Sequence, residues 1–316
     1  MILITGATGL VGSRLVATLK AQGKDQIRIL TRNKNNTKNT YPYSVEVFNW
    51  DPTLGTVEEG ALEGVDTVIH LAGEGVADGR WTDTRKARIL NSRVKGTQAL
   101  MSAIKASSTT PKKFICASAI GIYGDREQET LTEESTLGNG FLADVCKQWE
   151  DLAKNHGIPG MTSHSLRIGI VLSAAGGALG KMLLPFKMGV GGRLGNGKQF
   201  MSWIHIDDLV GQILFLAENP VNHSVYNAVA PNPVDNNSFT KTLGKVLGRP
   251  TIFPVPGFGL KTLFGEMSEI LLGSQRVLPK RFTEEGYRFK YENLEDALRD
   301  AVRSDKHSTK AELKTA

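Results

Sequence analysis

The opening dodecapeptide, Met1-Ile2-Leu3-Ile4-Thr5-Gly6-Ala7-Thr8-Gly9-Leu10-Val11-Gly12, constrains the fold more than any other stretch. Ile2, Leu3 and Ile4 read as a short strand buried on both faces. Val11, Leu15 and Leu19, at four-residue spacing, read as one face of a helix. The glycines between them have separate jobs. Gly6 lets the chain reverse, Gly9 leaves no Cβ between the backbone and an approaching pyrophosphate, and Gly12 lets the helix pack close to the strand. The helix N-terminus, at Leu10 and Val11 beside Thr8, offers free N–H groups and a positive dipole end to phosphates. A glycine triplet by itself is only a turn. Set between a strand and an amphipathic helix, it reads as a dinucleotide site.

Strands and helices then alternate. A second strand is expected at Gln26–Thr31, ending at Arg32 and followed by the polar run Asn33-Lys34-Asn35-Asn36. At the end of such a strand an Asp or Glu suits the ribose 2′-OH of NAD, whereas Arg and Lys suit the 2′-phosphate of NADP. Arg32 and Lys34 stand there, after Thr31, so NADP(H) is the expected cofactor. Val45–Asp51 reads as a third strand that can bring Trp50 and Asp51 near the adenine. Asp66–Leu71 reads as a fourth, running into Ala72 and Gly73, small residues that let the backbone lie against the middle of the cofactor. His70 in this strand reads as a packed histidine. The segment Glu74–Trp81 carries Glu74 and Arg80 beyond the strand's carboxyl end, the side on which open α/β sheets bind ligands. A long helix is expected from Thr82, its N-cap, to about Lys105. A fifth strand follows at Lys113–Ser118, a helix at Phe141–His156 and a sixth strand at Ser165–Leu172, which includes Val171. This alternation implies a Rossmann-like, doubly wound parallel α/β sheet over residues 1–172.

Beyond residue 172 glycines and loops dominate from Ala174 to Lys198. Next come Trp203–Leu209 with a helix to about Glu218, a helix at Phe258–Leu272 and a last one marked by Leu294, Ala297, Leu298 and Ala301. Residues 173–305 are expected to form mainly a smaller C-terminal substrate lobe, with 203–218 returning to the first domain, and 306–316 a polar tail. The net charge of +6 is spread along the chain and leans on Lys306, His307, Lys310 and Lys314. It therefore reads as a solvated surface, with no nucleic-acid patch. Cys116 and Cys146 lack metal spacing and read as reduced thiols, and no metal is expected. No apolar run is long enough for a bilayer, and a first strand beginning at Met1 leaves no room for a targeting peptide. A cytoplasmic address and no membrane partner are the expectation; a small-molecule substrate is expected, and a homo-oligomer stays open.

TGATGLVG at Thr5–Gly12, the strand-end LAG at Leu71–Gly73, Tyr123-Gly124 and WIHIDDL at Trp203–Leu209 resemble the extended short-chain dehydrogenase/reductases, the NAD(P)-dependent epimerase/dehydratase superfamily. AGE with RW at Ala72–Glu74 and Arg80-Trp81, FLADVCKQWE, GGALGKMLLPFKMGVGG and GSQRVLPKR are similar to its atypical YfcH-like branch. The resemblance implies NADP(H) and leaves the substrate unassigned. It also implies a Tyr-x-x-x-Lys pair on the helix after the fifth strand, the Tyr moving a proton and the Lys lowering its pKa. Leu142 and Cys146 stand at those two positions, Ala119 at the usual Ser/Thr with Ser118 one residue early, and Arg93 at the usual Asn. The standard tetrad is absent. Tyr123, Glu74 and Cys146 remain as candidates for proton handling, Cys146 on condition that a cation lowers its pKa. Glu74, Arg80 and Ser118 are also candidate cofactor contacts. An NADP(H)-dependent oxidoreductase or epimerase-like enzyme, a non-catalytic NADP(H)-binding sensor and a plain scaffold are the readings, in that order.

Overall fold

In the computed structural model, which describes residues 1–312, strand Ile2–Thr5 lies inside an eight-stranded sheet. From one edge the strands run Val225–Ala228, Thr162–Ile168, Lys113–Ala119, Thr67–His70, Ile2–Thr5, Ile27–Thr31, Glu46–Asp51 and Thr56–Val57. Every neighbouring pair is parallel except the last, which is antiparallel. The chain leaves Ile2–Thr5 toward Ile27–Thr31 on one side and returns at Thr67–His70 on the other. The order reverses there, and this reversal opens the ligand crevice of a doubly wound sheet.

Alternate strand residues feed two cores. Ile4, Ile29, Ile69 and Ile115 pack with Leu15, Val16 and Leu19 of helix Leu10–Ala21 and with Leu209 and Ile213 of helix Ile206–Glu218. Leu3, Leu30, Val68 and Phe114 face the other way, onto Leu100, Met101 and Ile104 of helix Asp83–Ala106 and Trp149 and Ala153 of helix Phe141–Lys154. The period of two along each strand thus produces a helix layer on each face of the sheet.

Several elements differ from the sequence reading. The expected sixth strand is split: Thr162–Ile168 stays in the main sheet, while Ile170–Leu172 pairs in parallel with Trp203–His205. Gly169 sits at the step, where a Cβ would lie 2.4 Å from the Ser202 carbonyl oxygen. The polar run after Arg32 is the short helix Lys34–Thr40, capped by the Asn33 side chain. The glycine-rich segment after Ala174 contains helix Gly177–Lys187, and helix Asn236–Leu247, capped by Asp235, has no counterpart in the sequence reading. The helix expected over Phe258–Leu272 is broken. It runs Gly257–Phe264, then turns at Gly265 with φ +59° before Glu269–Leu272. Helix Leu294–Glu312 takes in residues 306–312 of the segment read as a polar tail, and Leu313–Ala316 lie outside the described residues. Among the described residues no helix is long and apolar enough to cross a membrane.

Candidate functional site

The carboxyl ends of the central strands build the site, and the glycine turn forms its floor. Gly6 has φ +69°, and a Cβ on it would lie 2.8 Å from the backbone of Leu71 and Ala72. A Cβ on Gly12 would meet the Gly6 carbonyl oxygen at 2.2 Å. Gly9 differs, since its Cβ would meet only that oxygen, at 3.3 Å, with open space otherwise. Helix Leu10–Ala21 starts from Gly9 with no side-chain cap and no acid in its first turn. Its leading N–H groups and dipole are therefore available to an external anion. Thr8 and Gly9 are exposed, Leu10 and Val11 half-buried. The Tyr41 hydroxyl donates to the Ala7 carbonyl at 2.7 Å and braces the turn.

At the end of strand Ile27–Thr31, Arg32 is exposed and borders a groove with Asn49, Asp51, Thr56 and Glu58. Asp51 accepts the N–H groups of Thr53 and Leu54, which hold its carboxyl below its ordinary pKa, with Arg32 adding to the effect. Thr31 turns its hydroxyl to Thr37, 2.9 Å away. Two expected contacts are corrected here. Lys34 is tied to Glu58 at 2.6 Å, so its charge is already answered within the protein. Trp50 is 5% exposed and stands edge-on to His70, so most of its ring is core and only a margin of the residue lines this groove.

Next to the turn, Leu71, Ala72 and Gly73 follow strand Thr67–His70. The Ala72 N–H donates to Thr5 Oγ1, which also pairs with His70 Nδ1 at 2.7 Å. His70 is packed among Trp50, Phe114 and Trp149, as its strand position implies, and burial holds its pKa down at about 3. Glu74 is corrected as a proton-handling group. Its Oε1 accepts from both Arg85 and Arg88, at 2.5 and 2.7 Å, so the carboxylate is already engaged by two guanidiniums within the protein. Arg80 is exposed with its guanidinium against Gly265, and Trp81 is buried against Phe141.

Two further candidates, Ser118 and Tyr123, are drawn into a buried polar network. Ser118 donates to Glu150 at 2.6 Å. Arg167 holds both oxygens of Glu150, at 2.9 and 2.8 Å, and donates to the Tyr123 hydroxyl at 2.9 Å. Tyr123 donates in turn to Asn227 Oδ1 at 2.7 Å. Burial opposes the charge on Arg167, but Glu150 outweighs it and holds the guanidinium above its ordinary pKa. Tyr123 is fully buried, and burial raises its pKa. Its hydroxyl and that of Ser118 are therefore structural, contrary to the sequence reading. Cys146 is corrected as well. Burial pushes its thiol up to about 11, outweighing the pull of Arg93, so it is an inert thiol. Leu142 packs beside Gly121, where a Cβ would lie 3.4 Å from its own. The pair Glu150–Arg167 is absent from the sequence reading, although an arginine inside the apolar run Ser165–Leu172 was the signal for a buried partner.

Val171, in the second small sheet, is half-buried against the core of helices Leu10–Ala21 and Ile206–Glu218. His205 is the N-cap of helix Ile206–Glu218, its Nδ1 accepting the Asp207 N–H, with Nε2 3.3 Å from Asp300 of the last helix. Asp207 completes this junction through ion pairs to Arg14 and Lys290.

An uncapped helix N-terminus behind a glycine turn, at the reversal point of a doubly wound parallel sheet, defines a Rossmann-type dinucleotide-binding protein. Residues 2–143 match the NAD dependent epimerase/dehydratase family, and 255–301 match a domain of unknown function, DUF1731. The chain is 39% identical over 302 residues to the epimerase family protein SDR39U1 homolog, chloroplastic, of Arabidopsis thaliana, covering 94% of this chain and 85% of that one. It is 37% identical to the epimerase family protein YfhF of Bacillus subtilis, covering 95% and 97%. Human epimerase family protein SDR39U1, solved with NADPH, superposes with a TM-score of 0.85 at 31% identity, covering 96% of this chain and 99% of that one. The chain belongs to the NAD-dependent epimerase/dehydratase family.

Proposed function

We propose that the protein binds NADP(H) and acts as an atypical short-chain dehydrogenase/reductase of the YfcH-like branch. In this reading it is an oxidoreductase or epimerase-like enzyme on a small polar or nucleotide-linked substrate. The observation that carries the cofactor choice is Arg32. It is exposed, forms no ion pair among the described residues, and stands at a strand end where no acid appears between Thr31 and Glu46. The NADPH in the human relative supports the same choice. Gly6, Thr8 and Gly9 with the N–H groups of Leu10, Val11 and Gly12 would hold the pyrophosphate. Arg32 would take the 2′-phosphate above Asp51, and Leu71, Ala72, Gly73 and Val171 would line the path toward the nicotinamide. Bound there, NADP(H) supplies or accepts a hydride. The buried free thiols Cys116 and Cys146 fit the reducing, cytoplasmic setting expected from the sequence.

A second reading, a non-catalytic NADP(H)-binding sensor, has its own support. Tyr123, Ser118, Glu74 and Cys146 are all occupied or sealed, which leaves no proton-handling side chain among those the sequence nominates. Calorimetric titration tests the cofactor assignment. NADPH should bind more tightly than NADH, and Arg32→Ala should lose about 1.5–3 kcal/mol of NADPH binding, the worth of a hydrogen bond to a charged group, with NADH binding unchanged. Equal parental affinities for the two cofactors would refute it. A metabolite screen for hydride turnover then separates enzyme from sensor.

A further inference from the structure

Helix Asp83–Ala106 carries a cation that is drawn partly out of water and has no ion-pair partner among the described residues. Arg93 is half-buried, and its Nη1 donates to the backbone carbonyls of Glu74 and Ile89, each at 3.0 Å. Its Cζ lies 5.0 Å from the centroid of the Trp149 ring. Among the described residues no carboxylate is within ion-pair distance of it; the nearby Glu74 carboxylate is held by Arg85 and Arg88. Nε and Nη2 have no acceptor among the described residues. Drawing a guanidinium partly out of water against carbonyls and an indole is unfavourable, and a buried arginine normally offsets this through a paired carboxylate. Burial draws the pKa of Arg93 down, yet a guanidinium stays charged at any physiological pH.

The position of this charge gives it a use. A Cβ on Gly73 would lie 3.3 Å from Cζ, 3.4 Å from Nη2 and 3.6 Å from Nε, so the guanidinium rests against the backbone just after strand Thr67–His70. That strand borders the crevice at the reversal point of the sheet. The unused edge, Nε–H beside Nη2–H, presents two parallel donors spaced to match the two oxygens of a carboxylate.

We propose that Arg93 is the anchor for a carboxylate on the substrate, so that the substrate is an organic or sugar acid and not a neutral sugar. The proposal rests on the cofactor reading above for its setting beside the nicotinamide. A carboxylate fits better than a phosphate, because one edge with two donors satisfies a two-oxygen group and leaves the third oxygen of a phosphate without a donor.

The test uses the full chain with acetate, malonate and inorganic phosphate as probes, titrated calorimetrically into the NADPH-loaded and the cofactor-free protein. NADPH affinity is measured separately, so that failure to bind NADPH counts against the cofactor reading alone. The parent should bind malonate or acetate. Arg93→Gln should weaken that binding by about 10- to 100-fold, the worth of hydrogen bonds to a charged group, while NADPH affinity stays at the parental value. Arg93→Lys, which keeps the charge and loses the fork, should fall between the two, and it decides the matter if the Gln variant does not fold. The proposal is overturned if the parent binds no carboxylate, if it binds phosphate alone, or if Arg93→Gln binds carboxylates as the parent does. It is also overturned if NADPH affinity falls in step with carboxylate binding, which would make Arg93 a cofactor contact.

Discussion

Gly9 and Gly12, three residues apart and different in their surroundings, give the sharpest test of the cofactor cradle. A Cβ on Gly12 would sit 2.2 Å from the Gly6 carbonyl oxygen and 2.7 Å from Ala7 Cα, both backbone atoms that cannot swing aside. Gly12→Ala must therefore push helix Leu10–Ala21 off strand Ile2–Thr5. Overpacking of this kind costs about 1–3 kcal/mol or more, paid by the fold whether or not cofactor is present. A Cβ on Gly9 meets only the Gly6 oxygen at 3.3 Å, which a shift of a few tenths of an ångström relieves. Gly9→Val should thus leave the apo fold nearly intact and fill the space the pyrophosphate needs. Thermal melts with and without NADPH separate the two. A ligand at 100 times its Kd stabilises the native state by about 2.7 kcal/mol. At about 2 °C per kcal/mol for a chain of this size, the parent melt should rise by about 5 °C. Gly12→Ala should melt lower in both conditions. Gly9→Val should melt near the parent without cofactor and show no rise with it. A Gly9→Val protein whose melt rises as the parent's does would refute the reasoning, because the turn would then not lie against the pyrophosphate.

The remaining expectations concern stability. Glu150→Ala leaves Arg167 buried without its bidentate partner and Ser118 without its acceptor, so urea unfolding should show a loss of about 3–5 kcal/mol. Replacing both charges together, Glu150→Leu with Arg167→Met, should cost less than Glu150→Ala alone, and a double variant weaker than the single would contradict the assignment. Stability should also fall on acidification. The folded-state pKa values of His70 and His205 are depressed to about 3 and about 4, so the unfolded chain takes up protons first as pH drops below the ordinary histidine value. Each then removes up to about 1.4 kcal/mol per pH unit between about pH 6.5 and its folded pKa, and denaturant melts of His70→Gln should show a shallower slope over that range.

Much of this architecture was legible because local signals and tertiary demands agreed. The glycine turn, the apolar strands Ile2–Thr5, Thr67–His70 and Lys113–Ala119, and the capped helix after Thr82 each carry a pattern that only one element satisfies. Boundaries failed where the deciding contact is long-range. Nothing local in Ser165–Leu172 shows that the chain must step at Gly169, because the obstacle is the Ser202 carbonyl, supplied by a segment thirty-odd residues on. Helix Gly177–Lys187 was hidden by its glycines and Pro185, residues that weaken a helix in isolation and are overridden here by burial of Leu179, Leu183 and Phe186.

The site shows the same division. The placement of Arg32 and the glycines at the ends of strands could be read from the sequence, since it follows from where a strand ends. Side chains that handle protons could not, because their fate depends on partners distant in sequence. Tyr123 closes the 3-10 turn Ile120–Tyr123 that follows strand Lys113–Ala119, yet Arg167 and Asn227, 44 and 104 residues away, draw its hydroxyl inward. Glu74 is similarly claimed by Arg85 and Arg88 from the following helix. Arg93 is the converse case. In sequence it is one of three arginines on an exposed-looking helix, and only the Gly73 backbone against its guanidinium and the lack of an ion-pair partner among the described residues set it apart. Arg93 itself stands at the family's usual Asn position, so the guide to chemistry here is the surroundings of that residue, a charge without an ion pair beside the crevice.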